Sequence, residues 1–191
     1  MSRFGARVRG SQSVSTWLRG GGAGVQSVQR GTITIGAAAT SNTATITTVD
    51  TTRSVVHLLG FSATGSSGTE WRDYACRIAL TNATTVTATR ATATEVDSVL
   101  VVSYEVVQFN PGMIRSIQRG TIANSGTTAT ISAVNMARTT LMMLGYSYDG
   151  GSSFAAWLAG QPRVVLTNAT TVTATSGGTA FTVGYQVVEW Y

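Results

Sequence analysis

The chain holds few side chains able to do chemistry. His57 is the only histidine, set in the apolar run Val55-Val56-His57-Leu58-Leu59. A catalytic role would place a base in one of two similar stretches only, and no G-x-S-x-G nucleophile elbow occurs. The counterpart of His57 in the second stretch is Met142, as befits a strand residue at a contact. The eight carboxylates are scattered, and across the same correspondence Asp50 becomes Asn135, Glu105 becomes Gln186 and Glu189 becomes Gln108. A pair doing acid–base work is not expected to become amides between two copies unless one copy is dead. Cys76 is the only cysteine, which excludes an intrachain disulfide and a Cys-based zinc site. Glu70, Asp73 and Asp149 surround two tryptophans, but no D-x-D-x-D-G pattern supports calcium. The sequence therefore assigns no catalytic, cofactor-binding or metal-binding residue, and a non-enzymatic role is the expectation.

The elements that carry these residues are repeated. LTNATTVTAT runs from Leu80 to Thr89 and again, letter for letter, from Leu166 to Thr175. SVQRGTI (Ser27–Ile33) answers SIQRGTI (Ser116–Ile122), and TATITTVD (Thr43–Asp50) answers TATISAVN (Thr128–Asn135). LLGFS (Leu58–Ser62) answers MLGYS (Met143–Ser147), and YEVVQF (Tyr104–Phe109) answers YQVVEW (Tyr185–Trp190). The offset drifts from 89 to 81 residues, as insertions in loops between fixed elements produce. The reading is a basic arm over 1–26, a unit over 27–110, a linker over 111–113 and a second unit over 114–191.

Within each unit the apolar period is two. Thr32-Ile33-Thr34-Ile35 and Ala44-Thr45-Ile46-Thr47 alternate as half-buried strands do. Ser54–Leu59, Cys76–Leu80, Thr85–Thr89 and Val99–Phe109 add four strand candidates, and the second unit repeats all six. Turn-forming clusters separate them, and no helical stripe exceeds two turns. This predicts an all-β chain of two tandem, small antiparallel β-sandwiches of jelly-roll or immunoglobulin-like kind, with a flexible N-terminal arm.

Composition agrees. Of 191 residues 43% are hydrophobic and only 11% charged; threonine occurs 32 times, lysine is absent, and all 13 cations are arginine. Threonine suits a pleat and keeps an exposed face soluble without charge, and an uncharged face packs against a neighbouring subunit without desolvating ions. The net charge of +5 is carried by the first 30 residues, which hold five arginines and no acid; beyond them eight arginines balance eight acids. A nucleic-acid-binding surface over the body is thereby disfavoured. No run reaches the roughly 18 apolar residues of a membrane span. The basic N-terminus lacks the apolar run of a signal peptide, so synthesis and retention in a host cytoplasm are expected.

Two features point to partners. The arm sets Trp17-Leu18 among Arg3, Arg7, Arg9 and Arg19, ahead of Gly20-Gly21-Gly22-Ala23-Gly24. It cannot bury enough surface to fold alone and reads as a tether that orders on a larger body; a tail without a role and an arm that touches nucleic acid are the alternatives. Trp71 and Trp157 each stand six residues before an arginine, Arg77 and Arg163. They form either an aromatic platform for a sugar ring or partner surface, or core tryptophans closing each sandwich. Arg30 and Arg119, and Arg53 and Arg138, also recur in pairs and bridge strands or subunits or stay solvated. Asn82-Ala83-Thr84 and Asn168-Ala169-Thr170 match the glycosylation pattern but are read as strand ends.

With SIQRGTI opening a unit, L-G-[FY]-S, RVVLTNATTVTAT and a closing YQVVEW, residues 27–191 resemble small virion proteins of tailed bacteriophages. The resemblance implies a non-enzymatic, multi-copy component of the tail, its fibres or the head–tail region, assembled with other virion proteins and copies of itself, and supplies no catalytic residues. A capsid decoration protein, and a carbohydrate-binding adhesin that uses the tryptophan loops on a host surface glycan, are the rival expectations.

Overall fold

A computed structural model describes residues 24–64, 71–91, 98–124, 127–150, 153–178 and 180–191. The side chains of Trp71, Arg72, Phe154 and Trp157 also lie outside the description. The chain is all-β, with twelve described strands: β1 (Val25–Ile35), β2 (Ser41–Thr45), β3 (Ser54–Thr64), β4 (Arg77–Asn82), β5 (Thr85–Thr89), β6 (Val99–Phe109), β7 (Ile114–Ala123), β8 (Thr127–Thr130), β9 (Thr139–Tyr148), β10 (Arg163–Asn168), β11 (Thr171–Thr175) and β12 (Phe181–Trp190). One short helix, α1 (Phe154–Ala159), and two 3₁₀ turns, Trp71–Tyr74 and Met136–Arg138, complete the described elements. β1 starts at Val25, so the sheet takes in two residues that composition groups with the arm.

Each half repeats one plan. In the first, β6 lies between β1 and β3, and β5 lies between β2 and β4; in the second, β12 lies between β7 and β9, and β11 between β8 and β10. All of these pairings are antiparallel. First strand with last and second with next-to-last, split over two layers, is the nested pairing of a small antiparallel β-sandwich. Among the described residues the hairpin in each half is the repeated L-T-N-A-T-T-V. There Asn82 Oδ1 accepts from the Thr84 amide at 2.8 Å, and Asn168 Oδ1 accepts from the Thr170 amide at 2.9 Å. Thr81 and Thr87 hydroxyls meet at 2.5 Å across the first hairpin, Thr167 and Thr173 at 2.6 Å across the second.

Alternation along the strands builds the cores. Ile33, Ile35, Val56, Val86, Leu100 and Val102 meet between the sheets of the first half, and Ile122, Val172, Phe181, Val183 and Val187 in the second. The glycine of Q-R-G-T has a steric cause. A Cβ on Gly31 would lie 2.7 Å from the Tyr104 hydroxyl, and one on Gly120 would lie 2.6 Å from that of Tyr185. These tyrosines are the glycines' cross-strand partners and are buried; each ring lies across a pleat where no side chain fits.

The halves close their ends differently. In the first, the buried Arg90 guanidinium donates to the carbonyls of Ala39 (2.7 Å), Gly36 (2.9 Å) and Ser98 (3.1 Å). In the second, Ser176 stands at that position and the plug is Tyr148, whose hydroxyl donates to the Ala156 carbonyl of α1 at 2.9 Å.

The halves are also joined laterally. β4 meets β9 at Arg77 and Gly145, merging two three-stranded sheets into one of six, and the Tyr146 amide donates to the Cys76 carbonyl at 3.0 Å. Leu144 enters the first core and Ala75 the second. Gly120→Ala is expected to destabilise the fold by about 1–3 kcal/mol through overpacking against Tyr185; a urea titration followed by tryptophan fluorescence measures it.

Candidate interaction surfaces

A charged cluster joins β1, β3 and β6. Arg30 Nη2 lies 2.5 Å from Glu105 Oε2, and His57 Nδ1 lies 3.4 Å from Glu105 Oε1. Arg30 is two-thirds exposed and Glu105 mostly covered. Both carboxylate oxygens thus have a side-chain partner. Among the described residues no group of three or more His, Cys, Asp or Glu side chains could hold a metal ion. Burial pushes the Cys76 thiol up to about 12, which keeps it neutral and a poor nucleophile at neutral pH.

The counterparts in the second half, Arg119 and Gln186, do different work. Gln186 is fully buried. Its Oε1 accepts from the Val56 amide at 3.4 Å, and its Nε2 reaches the Val56 carbonyl at 3.5 Å and Met142 Sδ at 3.4 Å. Arg119 donates through Nε to Gln186 Oε1 at 2.9 Å, through Nη1 to the Thr51 carbonyl at 3.1 Å, and through Nη2 to the Ser54 carbonyl. These contacts clasp the free edge of β3 to the outer face of β7, β12 and β9. Val55, Ile114 and Val188 pack beside the clasp with Ile117 and Met142. Burial pulls the Arg119 guanidinium down to about 10, so it stays charged at neutral pH.

The interchange of acids and amides is explained by which atoms are used. The Asp50 amide donates to Gln108 Oε1 at 3.3 Å, and the Asn135 amide donates to Glu189 Oε1 at 2.9 Å. Asp50 Oδ1 accepts from the Thr52 amide at 2.9 Å, as Asn135 Oδ1 accepts from the Ala137 amide at 3.0 Å. Each position supplies an acceptor oxygen, which carboxylate and amide both provide.

Arg77, paired in sequence with Trp71, lies at the joint. With Arg119, Gly184 and Tyr185 it lines a groove of about 200 Å³, and its buried Nε has no hydrogen-bond partner. Burial lowers its guanidinium below the usual arginine range. Arg163, its counterpart, is exposed at the start of β10. The backbone segments bearing the two tryptophans, the Trp71–Tyr74 turn and α1, pack side by side. Arg3, Arg7, Arg9, Trp17, Leu18 and Arg19 lie outside the described residues, as do Glu70 and the tryptophan side chains. Arg53 anchors the turn before β3: Nε binds Asp50 Oδ2 at 2.8 Å, and Nη1 binds Gln26 Oε1 at 2.6 Å and the Phe109 carbonyl at 3.1 Å.

Sequence reasoning missed Gln186 and Arg90. The signal for Gln186 was the Glu-to-Gln difference itself, read above only as evidence against catalysis. For Arg90, an arginine following the identical block in one half and a serine in the other was the only trace.

The chain matches no protein-family model, no curated protein and no solved structure. Its function rests on its own surfaces.

Replacing Arg119 by alanine strands the Thr51 and Ser54 carbonyls and is expected to cost roughly 2–4 kcal/mol, measured by chemical denaturation; Arg30→Ala, at the exposed counterpart, is expected to cost less than about 1 kcal/mol. A second expectation concerns acid. The Asp50 carboxyl is held down at about 2, by the Thr52 hydroxyl first and then by Arg53 and the Thr52 amide. Its folded value lies below its unfolded one, so this stabilisation is complete above pH ~4 and disappears as pH falls toward 2. Asp50→Asn, the residue of the second half, is expected to flatten the fall in melting temperature over that window.

Proposed function

We propose that this chain is a non-enzymatic structural component of a tailed-phage virion, present in multiple copies, with its basic N-terminal arm docked on a larger subunit. The observation that carries the structural part is the joint. One half of the chain buries its strand edge on the outer face of the other, by main-chain contacts, the Arg119 and Gln186 side chains and the apolar contacts of Val55, Ile114 and Val188. That is how assembled β subunits cover their edges. The hairpins with paired threonine hydroxyls support the same reading, since they keep uncharged faces soluble before assembly. The virion assignment, with its localisation, rests on the resemblance of residues 27–191 to small tailed-phage structural proteins. Tail, fibre and head–tail positions are all compatible with it, as is a decoration role on the capsid.

A second reading has one specific support. The Trp71–Tyr74 turn and α1 lie side by side, so the two tryptophans are carried on neighbouring segments, which a carbohydrate-binding adhesin could use. Binding to a host-surface glycan that is lost in Trp71→Ala and Trp157→Ala with folding intact supports it.

Immunogold electron microscopy of phage particles, with antibody against residues 27–191, tests the main reading. Gold at a fixed position on tail, neck or head is expected; particles bare of gold beside abundant protein in the lysate would overturn it. Deleting residues 1–23, which leaves β1 whole, is expected to reduce incorporation into particles at least roughly tenfold; unchanged incorporation would remove the arm from the docking role.

A further inference from the structure

The joint inside the chain is made by two non-identical surfaces, and each has an unused twin. The receiving surface on the second half is the outer face of β7, β12 and β9; its twin on the first half is the outer face of β1, β6 and β3. The inserting surface on the first half is the corner of β3 and β4; its twin on the second half is the corner of β9 and β10.

The twins differ in exposure at matched residues. Leu144 is 3% exposed, while its counterpart Leu59 is 55% exposed. Ile114 is 8% exposed and its counterpart Val25 49%. Ile117 packs into the joint, whereas its counterpart Val28 is 40% exposed. On the inserting side, Ala79 is half-buried and its counterpart Val165 is 42% exposed. Most of the large apolar side chains that the described chain leaves in water thus fall on the two unused twins. A bulge glycine recurs as well. A Cβ on Gly145 would lie 2.3 Å from the Cys76 carbonyl oxygen, whereas around Gly60, also in the left-handed region with φ +131°, there is open space.

We infer that the outer face of β1, β6 and β3 receives the β9–β10 corner of a second copy of this chain, repeating the internal joint between molecules. The correspondence assigns the contacts. The Pro162 carbonyl accepts from the Phe61 amide, as Cys76 accepts from Tyr146. Arg30 donates to the Met136 and Thr139 carbonyls, as Arg119 does to those of Thr51 and Ser54. Glu105 accepts from the Leu141 amide, as Gln186 does from Val56. A carboxylate cannot also donate to the Leu141 carbonyl, and no linker tethers two copies. The contact between chains is therefore weaker than the joint within one and forms reversibly. Because the two surfaces differ, the contact is heterologous and propagates head to tail, into a ring if the rotation closes and a filament if it does not.

This inference rests on the multi-copy reading above and names its surface. The test uses the full chain at concentrations from about 1 to about 200 μM, followed by light scattering and analytical ultracentrifugation. Species larger than a monomer are expected. Val28→Glu with Leu59→Glu on the face, or Val165→Glu on the corner, changes exposed residues and should leave the circular dichroism unaltered. Each is expected to weaken association roughly tenfold or more. A mixture of the face variant and the corner variant should regain one contact and stop at a dimer, since each supplies the surface the other lacks. A wild-type chain that is monomeric throughout, or variants that associate as wild type, would overturn the inference, as would a mixture that never forms the dimer. Gold on virions together with a monomeric pure chain would sink this inference and spare the virion reading; head-to-tail association with bare particles would do the reverse.

Discussion

A strand edge can be buried only if its main-chain amides and carbonyls find partners, and the relation between the two halves of this protein follows from that constraint. β3 is the open edge of the first three-stranded sheet. Its outward groups at Ser54 and Val56 are met by the side chains of Arg119 and Gln186 rather than by another strand. Side chains can do this because guanidinium and primary amide present donors and acceptors in planar sets, as a peptide does. A little further along, backbone takes over and β9 meets β4 directly. The transition occurs at Gly145, where the Cys76 carbonyl occupies the place of a side chain. Polar satisfaction thus fixes the register of one half on the other, and the apolar contacts of Val55, Ile114 and Val188 fill in around it. It also explains why β12 is buried along nearly its whole length while β6, its counterpart, shows clean alternation over most of its own.

Much of the fold was legible before any coordinates. Period-two alternation in Thr32–Ile35 and Val99–Phe109 marks strands because one face must meet a core, and an identical decapeptide at two places marks a duplicated unit. Asn82 and Asn168, read as strand ends, prove to be turn residues that offer an acceptor to the amide two residues on. What could not be read was any contact between the halves. Gln186 and Val56 are 130 residues apart, and nothing in a pattern of short period reports on such a pair. The glycine of Q-R-G-T carries no pattern of its own in the sequence; in the fold it sits mid-strand beneath a tyrosine. β2 was placed late, over Ala44–Thr47, because the alternation continues past Thr45; in the fold the chain leaves the ladder there, and the Ile46 amide turns to the Thr84 carbonyl.

For the candidate surfaces, residue type alone was a poor guide. Arg77 and Arg163 occupy matched positions in sequence, yet one is set in the joint and the other faces water. Arg30 and Arg119 divide in the same way. Duplication gives two copies of a side chain one local conformation, but burial depends on what the rest of the molecule brings against it. Comparing twins for exposure, rather than scanning for reactive groups, separates surfaces already used from those still open.

The strand order also dictates a sequence of events during synthesis. The last strand of each half, β6 or β12, is the middle strand of its sheet, with the first and third strands on either side. Neither sheet can assemble while the ribosome still holds that final segment, because its outer strands have nothing between them to bond. The first half becomes foldable only when Phe109 has emerged, and its β3 edge then waits for Gln186 near the far end of the chain. Such non-local closure is slow and leaves apolar edges open in the meantime. Threonine on the outward positions of the strands gives those faces an uncharged, hydrated surface through that interval.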